Sequence, residues 1–294
     1  MEKELSGVIA LIPTPFTEEG KIDREGIRSE IDYAMKNGCF SAGVLAGIGE
    51  GYLMSSGDWT TVAKTAVDHI NGKAPLIVGI ASMGTAHAIE LVKQAQDLGA
   101  DAVLAFNPQG MGPYKPEGIY RHYKAIIEAA EIQVVPYARE ADPIPFDVIK
   151  KLVEDDAITY HKYAFRDCEM LQKLERELGD KLFKFCGADP WTLRFLLLGC
   201  KGIMTAHAAV FPKENVELLN LVEKRKIAEA RKYYFEKFLV WNDAGFYQNW
   251  QVAHKRALKL MGVIKSDASP PLQAPLAQYQ GQEIEALLGY LGKI

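Results

Sequence analysis

The chain has 294 residues, 48% of them hydrophobic and 24% charged, with a net charge of -4. A chain of that length and composition can bury a large core without disulfides or metal clips, and its charge gives no electrostatic reason to expect nucleic acid as a partner. The four cysteines, Cys39, Cys168, Cys186 and Cys200, form no CxxC pair, which suits scattered reduced thiols better than a disulfide framework or a zinc knuckle.

The opening Met1-Glu-Lys-Glu-Leu lacks the basic flank and apolar block of a signal peptide. No segment approaches the roughly 18 unbroken apolar residues of a membrane span. The expectation is a soluble, cytoplasmic protein.

From there the chain alternates eight times between a short β-rich apolar run and a longer stretch of helical period. The runs are Gly7-Val-Ile-Ala-Leu-Ile, Ala42-Gly-Val-Leu-Ala, Pro75-Leu-Ile-Val-Gly-Ile and Ala102-Val-Leu-Ala-Phe. Then come Gln133-Val-Val-Pro-Tyr, Ile158-Thr-Tyr-His-Lys-Tyr, Leu182-Phe-Lys-Phe-Cys-Gly and Gly202-Ile-Met-Thr-Ala. Between them the apolar residues recur three or four apart, and Gly38, Gly99 and Gly199 stand where helices should stop. Strands alternating with helices require crossovers and therefore a parallel sheet. Eight units predict a closed (β/α)8 barrel over residues 1–224, with its active site at the C-terminal ends of the strands. Residues 225–294 read as a small helical appendage, broken at Ser269-Pro-Pro.

Lys162 lies inside the sixth run, on the face shared by Ile158, Tyr160 and Ala164. An ordinary strand lysine reaches solvent. In a barrel both strand faces are covered, and burial lowers a lysine pKa toward the neutral amine that attacks a carbonyl. Tyr137 ends the fifth run, one strand away, where a phenol can move protons near the reacting carbon; by itself it is also an acceptable packing residue. After the second run, Ala46-Gly47-Ile48-Gly49-Glu50 could bring backbone amides to an anion, or could simply be a tight turn. Its Gly-x-Gly-x-Gly spacing is not a dinucleotide fingerprint. The histidines (His69, His87, His122, His161, His207, His254) show no short ligand spacing, so no metal site and no cofactor is expected. His161 should point outward from the barrel, and His207 is a candidate for the mouth.

With those residues placed, the chain resembles the dihydrodipicolinate synthase / N-acetylneuraminate lyase family. The matching blocks are Pro13-Thr-Pro-Phe16 with Asp23, Gly49-Glu50, Tyr137, Lys162 with Asp167 five residues on, and Gly202-Ile203. The resemblance implies a homo-oligomer (dimer or tetramer) and pyruvate-type imine chemistry. Lys162 would be the Schiff-base nucleophile and Tyr137 the proton shuttle, with the Gly47 and Ile48 amides on the C1 carboxylate and the Ile203 backbone facing the keto acid. Departures are equally informative. Gly47 and Ile48 replace two threonines, Gln109 and Gly110 replace two tyrosines for which Tyr114 is a possible substitute, and Ala138 replaces an asparagine. Asp142 stands where dihydrodipicolinate synthases carry an arginine. Arg139 is instead two residues after Tyr137, as in the ketodeoxyglucarate dehydratase branch, and is the candidate for a distal carboxylate or hydroxyl. The expected function is a Schiff-base lyase, aldolase or dehydratase, on a 2-keto acid of the keto-deoxy sugar acid type. The alternatives are a pyruvate-dependent aldolase with another aldehyde partner, including a dihydrodipicolinate synthase-like one, and a catalytically impaired barrel with a binding or regulatory role.

Overall fold

A computed structural model describes residues 3–82, 84–108, 114–244 and 249–294. Eight parallel strands close into a barrel in sequence order: β1 (Val8–Leu11), β2 (Ser41–Val44), β3 (Leu76–Ile80), β4 (Ala102–Phe106), β5 (Gln133–Arg139), β6 (Tyr160–Ala164), β7 (Phe183–Cys186) and β8 (Gly202–Thr205). Each coincides with one of the eight predicted runs. The connecting helices are α1 (Arg24–Lys36), α2 (Ser56–Ile70), α3 (Thr85–Leu98), α4 (Pro116–Ile127), α5 (Phe146–Glu154), α6 (Cys168–Leu178) and α7 (Thr192–Leu197); β8 leads into α8 (His207–Val210) and α9 (Pro212–Glu223).

Period-two alternation divides the strand residues between two cores. Ile9, Leu11, Ile77, Leu104, Val135, Tyr160, Phe185 and Met204 fill the barrel interior. Their neighbours Val8, Ala10, Val44, Val78, Val103, Tyr163, Cys186 and Ile203 pack outward against the helices. Each fully buried Leu, Ile or Phe contributes about 1.5–3 kcal/mol, so neither layer can be slipped by one residue without large loss. The floor is closed by Leu5, whose backbone amide donates to the Tyr160 hydroxyl at 3.1 Å. Local caps set the helix starts: Asp23 accepts from Gly26 N at 3.0 Å and Asp167 from Met170 N at 2.9 Å. Two residues that carry the family resemblance therefore act as N-caps.

The remaining chain forms α10 (Ile227–Tyr233), a π-helical turn at Tyr234–Phe238, α11 (Leu239–Asp243), α12 (Trp250–Leu260) and α13 (Gln278–Tyr290). Its apolar cluster of Trp241, Ala253, Leu258, Ile284 and Leu288 also takes in Val210 and Phe211, and Tyr33 of α1 packs against it. Among the described residues no helix is long and apolar enough to cross a membrane.

Candidate active site

The β5–β6 register pairs Tyr137 with Lys162 directly. Both side chains turn to the interior side, and Lys162 Nζ lies 3.7 Å from the centroid of the Tyr137 ring. Lys162 is 3% exposed and makes no ion pair among the described residues. Gly187, just past β7, leaves the room it needs: a Cβ there would sit 2.6 Å from Lys162 Cε. Burial without a full counter-charge lowers the lysine pKa to about 7. The Asp189 carboxylate pulls it partly back up, while Arg139 pushes it further down. A substantial share of the amine is then neutral near pH 7, as nucleophilic attack requires. Burial raises the Tyr137 phenol above its usual range, so it stays protonated and able to donate.

Asp189 escaped the sequence reading. It follows β7 in a single 3-10 turn, Asp189–Trp191. Its Oδ1 is buried and without a hydrogen-bond partner. Burial raises its pKa to about 6, against the opposing pull of Thr205, Lys162 and the His207 backbone. The Thr205 hydroxyl is itself buried and makes no hydrogen bond of ordinary geometry. A carboxyl and an amine titrating this close together can trade a proton, and their apparent values belong to the pair. The available signal was positional, since Asp189 sits in a loop after the C-terminal end of a strand.

The turn after β2 begins with Leu45 at φ 60 and ends with Glu50 at φ 57, both left-handed. Thr14 Oγ1 braces it by donating to Gly49 O at 2.6 Å, which gives the Pro13-Thr-Pro-Phe16 block a structural purpose. Neither the Gly47 nor the Ile48 amide donates a hydrogen bond among the described residues, so both remain available to an anion. The Ile48 side chain itself is buried in the interior core. Ile203 is expected to offer its backbone to the keto acid, and its side chain takes no part in the mouth. Its side chain faces the helices while Met204 faces the interior, and its amide donates to Gly7 O at 3.0 Å as part of the β8–β1 ladder. The alternation of the strand turns Ile203 away from the mouth.

Arg139 reaches the mouth but arrives already engaged. Nε and Nη2 bind the two oxygens of Asp142 at 2.9 and 3.1 Å, and its guanidinium carbon lies 5.2 Å from the Phe106 ring centroid. The two departures from the family pattern at these positions are thus a single bidentate pair. His207, the other mouth candidate, is buried against Phe238 at 4.2 Å and bonded to Asn215 at 2.8 Å, away from the site. His161 points outward as expected, its Nδ1 donating to Pro136 O at 2.8 Å. Tyr114 is 47% exposed, and Gln109 and Gly110 lie outside the described residues. No group of three or more His, Cys, Asp or Glu side chains disposed to hold a metal occurs among the described residues.

Beside the pair of Lys162 and Tyr137, reached through Phe106, whose ring packs on Tyr137, lies a cavity of about 450 Å³ lined by Gly47, Tyr52, Ala81, Ser82, Phe106, Asn107, Arg139, Trp250 and Gln251. Trp250 and Gln251 come from α12, so the tail completes the mouth. Its attachment is a buried ion pair: Lys255 of α12 holds Glu50 at 2.6 Å, with both side chains 0% exposed. Beside them Glu30 of α1 is buried with neither carboxyl oxygen hydrogen-bonded, and burial raises its pKa well above the usual carboxylate value.

Comparison with known proteins adds the following. A model of the dihydrodipicolinate synthetase family matches residues 4–290. The chain is 32% identical, over 98% of its length and 99% of the relative's, to a 4-hydroxy-tetrahydrodipicolinate synthase of Thermodesulfovibrio yellowstonii. A protein of the same name from Methanopyrus kandleri is 30% identical over 92% of this chain and 91% of the relative. The dihydrodipicolinate synthase structure from Thermotoga maritima superposes with a TM-score of 0.92 at 25% identity, covering 98% and 99% of the two chains. At 23% identity the fold is shared with YagE, an Escherichia coli K12 prophage protein solved with pyruvate, at a TM-score of 0.91 over 98% and 99%.

Proposed function

We propose, from the premise that this chain belongs to the dihydrodipicolinate synthetase family and is a Schiff-base lyase of the aldolase type, that it joins pyruvate to an aldehyde other than aspartate semialdehyde, or cleaves the product of such a union. The observation that carries the proposal is Lys162, a buried lysine with no ion-pair partner, lying against Tyr137 at the barrel mouth. Its neutral amine attacks the pyruvate C2 carbonyl, and loss of water gives the iminium. A proton leaves C3 to give the enamine, C3 attacks the aldehyde carbon, and water finally releases the product and restores the amine. Tyr137 carries protons between these steps, and the Gly47 and Ile48 amides receive the C1 carboxylate.

The names carried by the relatives lie nearer to the pyruvate-dependent alternative than to a keto-deoxy sugar acid. The sugar-acid expectation leaned on Arg139, whose charge is matched by Asp142 and two of whose five N–H donors bind it. Asp142 likewise weakens dihydrodipicolinate synthesis, because it stands in place of the arginine that would bind the carboxylate of aspartate semialdehyde and draws Arg139 to itself. Losing one charge-assisted hydrogen bond costs about 1.5–3 kcal/mol, so kcat/KM should be about ten- to a hundredfold below that for the preferred aldehyde. The decisive test is borohydride reduction in the presence of pyruvate with intact-mass and peptide mapping. One reduced adduct on Lys162 is expected. No adduct with any 2-keto acid would leave the impaired barrel as the better description.

A homo-oligomer belongs to the same proposal. An apolar groove between Trp191, Leu193, Tyr234 and Phe235 leaves Leu197 50% and Phe235 59% exposed, a surface that a second copy would cover. Sedimentation showing a monomer at micromolar concentration would remove this part.

A further inference from the structure

We propose that the carbonyl partner of the pyruvate enamine is an aromatic aldehyde, held flat between Phe106 and Trp250 over Gly47. The inference rests on the pyruvate-lyase reading above and names the second substrate of that site.

Three observations converge on it. First, two aromatic rings flank one glycine. A Cβ on Gly47 would lie 3.8 Å from Trp250 Cη2 and 3.9 Å from Phe106 Cε1, so a branched residue at this position would have to grow between the rings. The Trp250 ring packs on His254 and the Phe106 ring on Tyr137, at 6.1 and 5.0 Å; the two make no ring contact with each other. The space between them is open to the cavity that both line. Aromatic faces reward a third ring in an offset or edge-on arrangement.

Second, much of the polar capacity of the mouth is engaged within the protein, Asn107 Oδ1 being the buried exception. Arg139 binds Asp142 in two places. The Asn107 amide donates to Pro143 O at 3.1 Å, the Ser82 hydroxyl to Gly84 O at 2.9 Å, and Gln251 Nε2 to the Tyr52 hydroxyl at 3.4 Å. A polyhydroxylated or carboxylate-bearing aldehyde would lose its water shell and meet engaged partners. An aryl group loses no hydrogen bonds on entering.

Third, the cavity of about 450 Å³ falls within the range of small-molecule sites, with room for pyruvate and one ring. The chemistry balances without further reagents. The enamine C3 forms a bond to the aldehyde carbon while the carbonyl oxygen takes a proton. Water then hydrolyses the iminium, freeing a 4-aryl-4-hydroxy-2-oxobutanoate and neutral Lys162.

The experiment uses the full chain with pyruvate and, in parallel, benzaldehyde, glyceraldehyde or aspartate semialdehyde. Products are followed by chromatography and mass, and borohydride trapping with pyruvate alone is run alongside. Benzaldehyde should give the highest kcat/KM, at least about tenfold above glyceraldehyde. In Trp250→Leu and in Phe106→Leu, which keep apolar volume but remove a ring, that preference should fall about tenfold. Failure to trap pyruvate overturns the parent reading together with this one. Trapping with a preference for either aliphatic aldehyde, or a ratio unmoved in both variants, overturns the aromatic assignment alone.

Discussion

Three lysines of this barrel are buried almost completely, and they differ in what stands opposite the ammonium. Lys184, on the outer face of β7, holds Glu175 at 2.7 Å, and Lys255 holds Glu50 at 2.6 Å. Lys162, one strand from Lys184 but on the inner face, has an aromatic ring beneath it and Asp189 only within electrostatic reach. A carboxylate partner fastens two elements together, and at Lys255 it opposes the desolvation that lowers the lysine pKa. At Lys162, without one, desolvation brings the pKa to about 7, which suits the nucleophile proposed there. Exposure alone, at 0% for Lys184 and Lys255 and 3% for Lys162, would not have separated fasteners from reagent.

The sharpest way to break this contrast is to delete the reagent. Lys162→Ala and Lys162→Arg should abolish borohydride trapping and lower turnover by about ten-thousandfold or more. An adduct that persists in Lys162→Ala would move the nucleophile elsewhere.

Next in size is a pH signature. Below about pH 7 the folded and unfolded states both hold the Lys162 proton, and the full desolvation cost is present. As pH rises from about 7 toward 10.5 the folded state releases the proton first, so the unfolded state binds more protons and stability climbs. Relative to a Lys162→Met variant, wild-type stability should gain up to about 5 kcal/mol across that window. Denaturant titrations at several pH values measure it, and a flat difference would mean that Lys162 is hydrated.

The fasteners should show the opposite pattern, costing stability before chemistry. Lys255→Met strands Glu50 without solvent and should cost about 3–5 kcal/mol. Lys184→Met leaves Glu175, whose side chain is 41% exposed, with access to water, so about 1 kcal/mol is expected there. Urea midpoints that rank the two equally would erase the distinction between a closed and a half-open pair.

The smallest effect concerns tuning. Asp189→Asn removes the charge that lifts the Lys162 pKa, so the acid limb of trapping against pH should move down by less than about one unit. Arg139→Ala should move it up. Limbs that stay put in both variants would mean that neither charge is felt at the amine.

The barrel was legible because most strand positions are apolar on both faces, and an apolar run bounded by helical period has few other fates. Lys162 was legible for the same reason, as a cation where the fold offers no water. Ile203 and Met204 follow the same rule, since a strand sends adjacent side chains to opposite faces. Asp189 follows a strand without any periodic mark. Trp250 and Lys255 could be read as helical, but nothing local indicates that this helix docks on the turn after β2. Contacts between distant segments are set by three-dimensional packing, and one sequence does not print them.

That docking carries a consequence for how the protein comes into being. Gln251 and Tyr52, which meet at the mouth, are separated by 199 positions along the chain. A growing polypeptide emerging from the ribosome can pair its first strands early, since their contacts are local. It cannot assemble the complete substrate slot until α12 has been synthesised and Lys255 has found Glu50. The nascent barrel therefore carries Lys162 from its synthesis until that of α12 with one wall of the slot absent. Catalytic competence arrives among the last acts of folding, and a chain cut short before α12 would keep the amine and lack the pocket.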